Sequence, residues 1–299
     1  MIEAREASVL FKRGFLKRVI HALDGFSIHI RKGDVFGLVG PNGAGKSTAM
    51  YTFLGLIKPD RGEVRLFGER PEPGSGIYNK IAYVPEDPQY HLYLTVEEAV
   101  RYYAALYRDP VPESRIQEAI RRMGLSEFKD LRLSKCSKGM KQKAGLATCL
   151  LNDPELVFLD EPTRGLDPVT VRDFRDIILE MNKKGTTFVI NSHVLSEVEM
   201  ICNRVAIMDR GRVVVQDEMA HLLTYDLENY SVELDVPDSV PAFLKETKRE
   251  EGRLRGEIPA KSLHEFLGFV EGRNLKLYEC SLKKATLEEA FFKTIQKGA

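Results

Sequence analysis

A glycine-rich loop between a short apolar segment and a helical segment most constrains what this chain can fold into. The apolar run Val35–Val39 ends at a glycine, as a buried strand does, and residues 47–56 follow with a helical pattern. Residues 40–48 fit the pattern G-x-x-x-x-G-K-[ST] in the strand–loop–helix setting that this pattern requires, which disfavours a glycine turn with an incidental lysine. They are Gly40, Pro41, Asn42, Gly43, Ala44, Gly45, Lys46, Ser47 and Thr48.

Each residue type in this loop suits the binding of a phosphate chain. Glycine lets the backbone bend so that successive amide groups point inward at phosphate oxygens. The N-terminus of the following helix adds partial positive charge. Lys46 supplies a mobile positive charge for the β- and γ-phosphates, and the Ser47 hydroxyl suits Mg²⁺. The loop therefore predicts a nucleoside triphosphate as ligand, although it does not say how the energy is used.

Composition excludes several classes of protein. The chain has 299 residues, of which 43% are hydrophobic, so it can bury a sizeable core. Lys plus Arg and Asp plus Glu both number 44, which argues against a protein whose main task is to coat nucleic acid. Residues 35–57, the least charged stretch, hold five glycines and a proline, which disfavours a membrane-spanning helix. The N-terminus lacks an apolar signal core, and the four cysteines lack metal-binding spacing, so we expect a cytosolic protein with reduced thiols.

Strand and helix patterns alternate along most of the chain, which predicts an α/β fold with a mostly parallel sheet. We expect residues 1–223 to form the nucleotide-binding domain, with an inserted helical subdomain at about residues 94–152. The pattern changes after residue 223, and residues 224–299 are expected to form a small accessory α+β domain. Its predicted strands lie near residues 230–236, 253–258 and 275–282, and its predicted helices near residues 240–248, 262–270 and 286–296.

Two adjacent carboxylates follow a second apolar strand, predicted at residues 156–159. Phosphoryl transfer to water needs one group that holds the metal ion and another that orients or deprotonates the water. Asp160 would hold Mg²⁺, directly or through its water, and Glu161 would face the attacking water. A charged loop after a buried strand is the alternative for this pair. Farther along, Asp167 alone indicates a helix cap, and His193 follows a strand that ends at residue 191.

These motifs, in this order, resemble the nucleotide-binding subunit of an ATP-binding-cassette (ABC) transporter over about residues 1–220. The deciding feature is the segment CSKGMKQ at residues 136–142, which resembles the signature loop of that family and is called the signature segment below. The tail at residues 286–295 also resembles the C-terminus of drug- and peptide-export subunits. The resemblance implies a P-loop core that binds ATP and Mg²⁺ and hydrolyses ATP.

The resemblance also implies roles for residues within one chain. The phosphate loop corresponds to Walker A, and Asp160 corresponds to the Walker B magnesium ligand. Glu161 matches the catalytic base, and His193 matches the switch histidine that touches the γ-phosphate. Phe11 matches the aromatic residue that stacks on adenine, with a core phenylalanine as its alternative and Phe15 as a rival.

Other roles implied by the resemblance concern a second cassette. Ser137 and Gly139 match residues that contact the γ-phosphate of ATP held by the other subunit. Such a role suits Ser137, because it caps a helix whose amide groups face outward. Asp167 matches the loop that contacts the other subunit. Two cassettes, identical or different, would therefore face each other head to tail and complete each other's sites.

Three features depart from the usual pattern of the family. Where members often have Leu-Ser-Gly-Gly-Gln, the signature segment of this chain reads Cys-Ser-Lys-Gly-Met at residues 136–140. The serine and the second glycine are kept, while Lys138 adds a positive charge near the phosphate. Glu86 stands where many members have glutamine. Its carboxylate can still reach Mg²⁺ or water, so we expect it at the metal site. Lys143 stands where arginine is usual, which is expected to alter packing rather than chemistry.

The full set of motifs predicts a transport motor. ATP binding would close a pair of cassettes, hydrolysis would reopen them, and the motion would drive separate transmembrane permease subunits, with export implied by the resemblance. Residues 87–94 and the helix after them would lie near the permease. The chain would then be cytoplasmic and peripheral on the inner face of the cell membrane.

The alternative hypothesis is a soluble ABC-type ATPase that acts on nucleic acid or ribosomes. Its relatives usually carry two cassettes or a long coiled-coil insertion, which this sequence does not show. The neutral charge balance also disfavours it, so no nucleic acid partner is expected. A P-loop GTPase is disfavoured as well, because the base-reading motif Asn-Lys-x-Asp is absent from the sequence.

Overall fold

The computed structural model describes residues 1–13, 18–107, 109–223, 225–250, 252–284 and 286–297. The chain divides into two compact units, Met1–Met219 with Lys293–Ala299, and Ala220–Phe292. The described strands are β1 (Ile2–Arg13), β2 (Arg18–Ile30), β3 (Val35–Val39), β4 (Arg61–Leu66), β5 (Ile81–Val84), β6 (Leu156–Asp160), β7 (Thr187–Asn191), β8 (Arg204–Asp209), β9 (Arg212–Glu218), β10 (Tyr225–Asp235), β11 (Lys245–Glu250), β12 (Arg253–Pro259) and β13 (Leu277–Lys284). The described α-helices are α1 (Lys46–Phe53), α2 (Val96–Ala104), α3 (Glu113–Arg122), α4 (Lys138–Cys149), α5 (Pro168–Lys183), α6 (Leu195–Ile201), α7 (Met219–Leu222), α8 (Leu263–Gly272) and α9 (Leu287–Lys297). Within these ranges, no helix combines the length and the apolar composition that a bilayer crossing needs.

A six-stranded sheet in the order β5-β6-β7-β3-β8-β9 forms the centre of the larger unit. Its strands are parallel except β9, which pairs antiparallel with β8. Every residue of β3, β6 and β7 is buried, as is usual for parallel strands that are covered on both faces. The predicted α/β class with a mostly parallel sheet is confirmed. Because β3, β6 and β7 are neighbours, the loops that follow them meet at one edge of the sheet.

A second, antiparallel sheet in the order β2-β1-β4 shares a hydrophobic core with the central sheet and α1. Phe53 of α1 links the two sheets, since its ring centroid lies 5.9 Å from that of Phe26 and 6.3 Å from that of Phe158. The sequence pattern before residue 35 is strand-rich and predicts strands there, but it alternates regularly only over residues 27–30. Register shifts between Ala4 and Ala7 and between Ala7 and Val9 interrupt the alternation that would have revealed the rest.

The helices α2, α3 and α4 lie in the segment that was predicted to be helical. The sequence Thr-Val-Glu-Glu at residues 95–98 predicts a capping box at the start of α2. Thr95 and Glu98 form this box, because each side chain accepts a hydrogen bond from the backbone N–H of the other. The helix α3 ends before Gly124, whose φ of +65° favours glycine. Asp167 caps α5 and accepts from the N–H of Thr170 at 3.0 Å, as predicted.

The smaller unit contains a four-stranded antiparallel sheet in the order β11-β12-β10-β13, and α8 contributes to its core. The strands predicted near residues 230–236, 253–258 and 275–282 are present. The helix predicted near residues 240–248 is wrong, because Lys245–Glu250 is the edge strand β11. All its residues are exposed, so they provide no apolar period, and pairing with β12 determines their conformation. Buried members of this core are Val232, Leu234, Leu244, Leu254, Ile258, Phe266 and Val270.

A buried ion pair joins the amino ends of two strands of the central sheet. Asp34 Oδ2 and Arg204 Nη1 are 2.5 Å apart, and both side chains are less than a tenth exposed. Asp34 precedes β3 and also accepts from the N–H of Arg31 at 2.8 Å. Since Arg204 begins β8, the pair aligns the start of β3 with the start of β8.

We expect Asp34→Ala to lower the free energy of unfolding by about 3–5 kcal/mol, because the buried guanidinium loses its carboxylate. Urea denaturation followed by circular dichroism measures this loss. The matched control is Lys32→Ala, which removes an exposed ion pair with Glu155 and should cost less than about 1 kcal/mol. Equal losses in the two variants would contradict the role given to the buried pair.

Candidate functional site

The loop of residues 40–48 connects β3 to α1 through close backbone contacts. A Cβ atom at Gly40 would lie 2.4 Å from the carbonyl oxygen of Met208, and one at Gly45 would lie 2.3 Å from that of Ala22. Neither position has room for a side chain. Gly45 is the N-cap of α1 and provides no side-chain cap, so the amide groups of the first turn can face an anion.

Lys46 is 7% exposed and lies inside this loop. Its Nζ donates to the carbonyl oxygens of Gly40 and Pro41 at 2.8 and 3.2 Å. Burial lowers the pKa of the Lys46 ammonium, while the carboxylates of Glu161 and Asp160 act in the opposite direction. The lysine is therefore a desolvated cation within electrostatic reach of two carboxylates.

Asp160 ends β6 and is 6% exposed. Burial raises the pKa of its carboxyl and the charges of Glu161 and Glu86 add to this effect, while a hydrogen bond from Asn191 Nδ2 at 2.5 Å and the charge of Lys46 oppose it. Asn191 ends the neighbouring strand β7, and its buried Oδ1 lacks a hydrogen-bond partner among the described residues. A buried carboxylate beside an unsatisfied amide oxygen suits a bound cation.

Glu161 and His193 form a pair at the ends of β6 and β7. The Oε2 atom of Glu161 lies 2.7 Å from Nδ1 of His193 and accepts from the backbone N–H of His193 at 3.4 Å. Glu161 has a φ of +47°, in the left-handed region that side chains rarely adopt, and its amide donates to Asn191 O at 2.8 Å. A buried carboxylate fixed by an imidazole can accept a proton from water.

A polar cleft of about 210 Å³ brings these groups together. Glu86, which follows β5, reaches the cleft and accepts a hydrogen bond from the guanidinium of Arg164. The residues that line the cleft are Asn42, Gly43, Lys46, Ser47, Glu86, Asp160, Glu161, Arg164, Asn191 and His193. The structure thus places the predicted phosphate loop, both predicted carboxylates, Glu86 and His193 in one site.

The oxygen donors of this cleft fit Mg²⁺. Ser47 contributes a hydroxyl, and Asp160 and Glu86 contribute carboxylates. Mg²⁺ prefers such hard oxygen ligands and is usually bound through one or two carboxylates together with substrate phosphates. The unsatisfied Oδ1 of Asn191, next to Asp160, adds a buried acceptor that a hydrated cation would satisfy.

Ser137, Gly139 and Asp167 lie at the beginnings of α4 and α5, and the described lining of the cleft does not include them. Ser137 caps α4 and accepts from the N–H of Met140 at 3.2 Å. A Cβ atom at Gly139 would lie 2.6 Å from Cγ2 of Thr170, so the signature segment packs against the first turn of α5. Ser137 and Asp167 are exposed.

Phe11 lies on β1 opposite Ile20 of β2 and is 43% exposed. It does not line the cleft as described. Its rival Phe15 lies outside the described residues.

Sequence reasoning missed two residues of the cleft, Asn191 and Arg164. Asn191 could have been found, because it is the last residue of the predicted strand that precedes His193. The signal for Arg164 was the charge balance, since three carboxylates, those of Glu86, Asp160 and Glu161, were predicted to lie in one site.

Comparisons with known proteins agree with this geometry. A sequence model of the ABC transporter family matches residues 23–164. An uncharacterized ABC transporter ATP-binding protein of Nostoc sp. is 35% identical over 297 residues, which cover 96% of this chain and 88% of that protein. The bacitracin transport ATP-binding protein BcrA of Enterococcus faecalis is 33% identical over 267 residues, which cover 89% of this chain and 82% of BcrA.

Solved structures share the fold. A dimeric ATP-binding cassette in a post-hydrolysis state, bound to ADP and Pi, has a TM-score of 0.64 and 24% identity and covers 74% of this chain and 99% of its own. The protein cbiO1 from Clostridium perfringens, part of the ABC transporter complex cbiONQ, has a TM-score of 0.65 and 29% identity. It covers 74% of this chain and 89% of its own.

The glycine loop, the buried lysine and the carboxylates at the ends of parallel strands define a P-loop nucleotide-binding cassette. With the relatives that match almost its whole length, the chain belongs to the family of ABC transporter ATP-binding subunits. It is an ATPase that binds and hydrolyses ATP.

We expect Asp160→Asn to raise the melting temperature of the nucleotide-free protein by about 2–4 °C, the shift that a gain of about 1 kcal/mol gives in a large domain. Burial raises the pKa of Asp160, so its charge opposes folding, whereas an amide keeps an acceptor for Asn191. The gain should shrink as the pH falls through the raised pKa, because the native carboxyl is then neutral too. Differential scanning calorimetry at several acidic pH values tests this.

The control for this measurement is Asp130→Asn, which changes an exposed carboxylate and should leave the melting temperature unchanged. A melting temperature of Asp160→Asn below that of the native protein at neutral pH would contradict the expected destabilising charge.

Proposed function

We propose that this chain is the ATP-driven motor subunit of an exporter and that it powers separate transmembrane permease subunits. The observation that carries the proposal is the cleft in which Glu161 and His193 lie beside Lys46 and Ser47. The names of relatives support export. BcrA is a bacitracin transport protein, and a fluoroquinolones export ATP-binding protein of Mycobacterium tuberculosis is 36% identical over 202 residues, 67% of this chain and 66% of that protein.

The loop of residues 40–48 would hold the triphosphate through its backbone amides. Lys46, which donates to the carbonyl oxygens of Gly40 and Pro41, would turn its ammonium to the β- and γ-phosphates. Its burial makes this interaction stronger than it would be in water. Phe11, nearly half exposed on β1, would stack on the adenine ring.

Ser47, Asp160 and Glu86 would hold Mg²⁺ together with the phosphates. The bound ion supplies positive charge that stabilises the transferring phosphoryl group. Within the chain, the hydrogen bond from Asn191 fixes the carboxylate of Asp160 at the end of β6. The same bond keeps that carboxylate aligned with the loop after β3, because β7 lies between β3 and β6.

Glu161 is the general base in this proposal. Its carboxylate would accept a proton from the attacking water and so raise the nucleophilicity of that water. His193 Nδ1, 2.7 Å from Oε2, would orient this carboxylate. The other ring nitrogen of His193, Nε2, would contact the γ-phosphate.

A second ATP-binding cassette, identical or different, would complete each site. Ser137 is exposed at the amino end of α4, a 12-residue helix whose first turn presents backbone amides and partial positive charge. Ser137 and Gly139 would contact the γ-phosphate of ATP held by the other cassette. Asp167, exposed at the amino end of α5, would lie at the interface between the two cassettes.

Exposed apolar residues before, on and just after α2 would contact the permease. Leu92, Tyr93, Tyr102 and Leu106 are all more than two-fifths exposed. Such a patch on a protein surface is typical of an interaction site. Through this contact the chain would be peripheral on the inner face of the cell membrane. The relative cbiO1 is part of an ABC transporter complex, which supports a partner of this kind.

The domain organisation in this proposal has residues 1–223 as the ATPase domain, with its helical subdomain at about residues 94–152. Residues 224–299 would be an accessory domain. Its core forms from its own sheet and α8, which supports a separate role in pairing or regulation.

Glu161→Gln should lower kcat for ATP hydrolysis by about 10²–10⁴-fold, the usual contribution of a general base, and should leave ATP binding intact. The variant should also trap an ATP-bound dimer. Phosphate release and analytical ultracentrifugation with ATP and magnesium measure the two effects. Glu155→Gln, at the other end of β6, is the matched control and should retain native turnover. Native-like hydrolysis by Glu161→Gln would remove Glu161 from the mechanism.

Ser137→Arg should abolish hydrolysis while the affinity of the monomer for ATP stays within about twofold, because Ser137 would act on the site of the other cassette. Fluorescent-nucleotide titration and phosphate release separate the two quantities. Ser134→Arg places the same side chain on an exposed position three residues earlier and should be active. Retained turnover in Ser137→Arg would show that the sites are not shared.

A further inference from the structure

Two charged residues have no role in the function proposed above: Arg164, which lines the cleft, and Lys138, which does not. Arg164 follows Glu161 by three residues, and its guanidinium donates to the carboxylate of Glu86. The carbonyl oxygen of Arg164 accepts from Nζ of Lys138 at 2.5 Å. Lys138 is the first residue of α4, directly after Ser137. Two contacts therefore connect a carboxylate of the cleft with the start of α4, which is called the signature helix below.

A third contact joins Glu86 to the same helix by another route. The buried Gln142, one turn into α4, donates from Nε2 to the carbonyl oxygen of Glu86 at 2.9 Å. The helix is thus attached to the side chain of Glu86 through Lys138 and Arg164, and to its backbone through Gln142. Glu86, Arg164, Lys138 and Gln142 form a closed circuit of contacts, called the rim circuit below.

The charge of Glu86 explains why this circuit contains a guanidinium. The cleft holds the carboxylates of Glu86, Asp160 and Glu161, and a triphosphate adds further negative charge. A neutral glutamine at position 86 would need no counter-charge there, whereas a glutamate does. Arg164 and Glu86 are both about half exposed, so their pairing adds little stability. Its effect is on where the carboxylate and the guanidinium lie.

We propose that Arg164 and Lys138 are positioning residues that couple the cleft to the signature segment. Arg164 compensates the charge of Glu86, and Lys138 holds the backbone of Arg164, so that the charge in the cleft determines where the start of α4 lies. The inference rests on the proposed function, in which Ser137 at that helix start acts on the ATP of the second cassette.

The first test is a double-mutant cycle on ATP hydrolysis by the full chain. Arg164→Gln should lower kcat roughly three- to fivefold, the upper end of the scale of one half-exposed charge pair, and change KM for ATP less than about twofold. In the Glu86→Gln background the same substitution should change kcat by less than about twofold, because the charge to be compensated is gone. Arg164→Lys should restore most of the activity. An equal loss in both backgrounds would overturn the role of Arg164.

The second test separates Lys138 from a direct contact with phosphate. Lys138→Gln should lower kcat about as much as Arg164→Gln, and this loss should also shrink in the Glu86→Gln background. A lysine that touched the phosphate of the second cassette directly would cause the same loss in both backgrounds, and that result would overturn its place in the rim circuit. Lys135→Gln, an exposed lysine one turn earlier, is the control and should stay within about twofold.

A third measurement distinguishes this inference from the proposed function. In the Glu161→Gln background, Lys138→Gln and Arg164→Gln should each raise the ATP concentration for half-maximal dimerisation roughly three- to tenfold. The reason is that each substitution weakens the coupling between the cleft and the signature segment, which would contact the second cassette. If Glu161→Gln dimerises with ATP and neither substitution shifts that concentration, the rim circuit is overturned and the proposed function stands. If Glu161→Gln neither dimerises nor loses turnover, the proposed function fails.

Discussion

The structure depends on the placement of opposite charges at a desolvated edge of a parallel sheet. The loops after β3, β6 and β7 meet there and bring Lys46, Asp160 and Glu161 out of water. Burial lowers the pKa of Lys46 and raises that of Asp160, which means that the surroundings of each group disfavour its charged form. A ligand with anionic and cationic parts relieves both costs at once, which a nucleoside triphosphate with its metal ion provides.

The backbone around this edge has little freedom, and this keeps the charged groups in place. Gly40 and Gly45 lie so close to the carbonyl oxygens of Met208 and Ala22 that a side chain would displace the phosphate loop. Glu161 adopts a left-handed conformation and is held there by backbone bonding to Asn191. Binding therefore needs little reorganisation of the scaffold, and motion can be confined to side chains and to the helical segment.

The fold and the centre of the site were accessible from the sequence because both depend on local signals. The phosphate loop, the capping box at Thr95 and the cap at Asp167 are short patterns whose chemistry is complete within a few residues. The edge strand β11 was not accessible, since its exposed charges carry no period and pairing with β12 determines it. The contact of Arg164 with Glu86 joins residues 78 positions apart, and no local pattern encodes it.

Glu86 connects the metal-binding chemistry of the cleft with the position of α4. As a carboxylate it can contribute to a metal site, and as a charge it requires the guanidinium of Arg164 nearby. Because the Arg164 backbone is bonded to Lys138, a change of charge at Glu86 reaches the first residue of α4, which is not part of the lining of the cleft. A neutral residue at position 86 would remove this electrostatic link but leave the bond from Gln142. The glutamate therefore makes the position of the signature helix sensitive to the ionic content of the site.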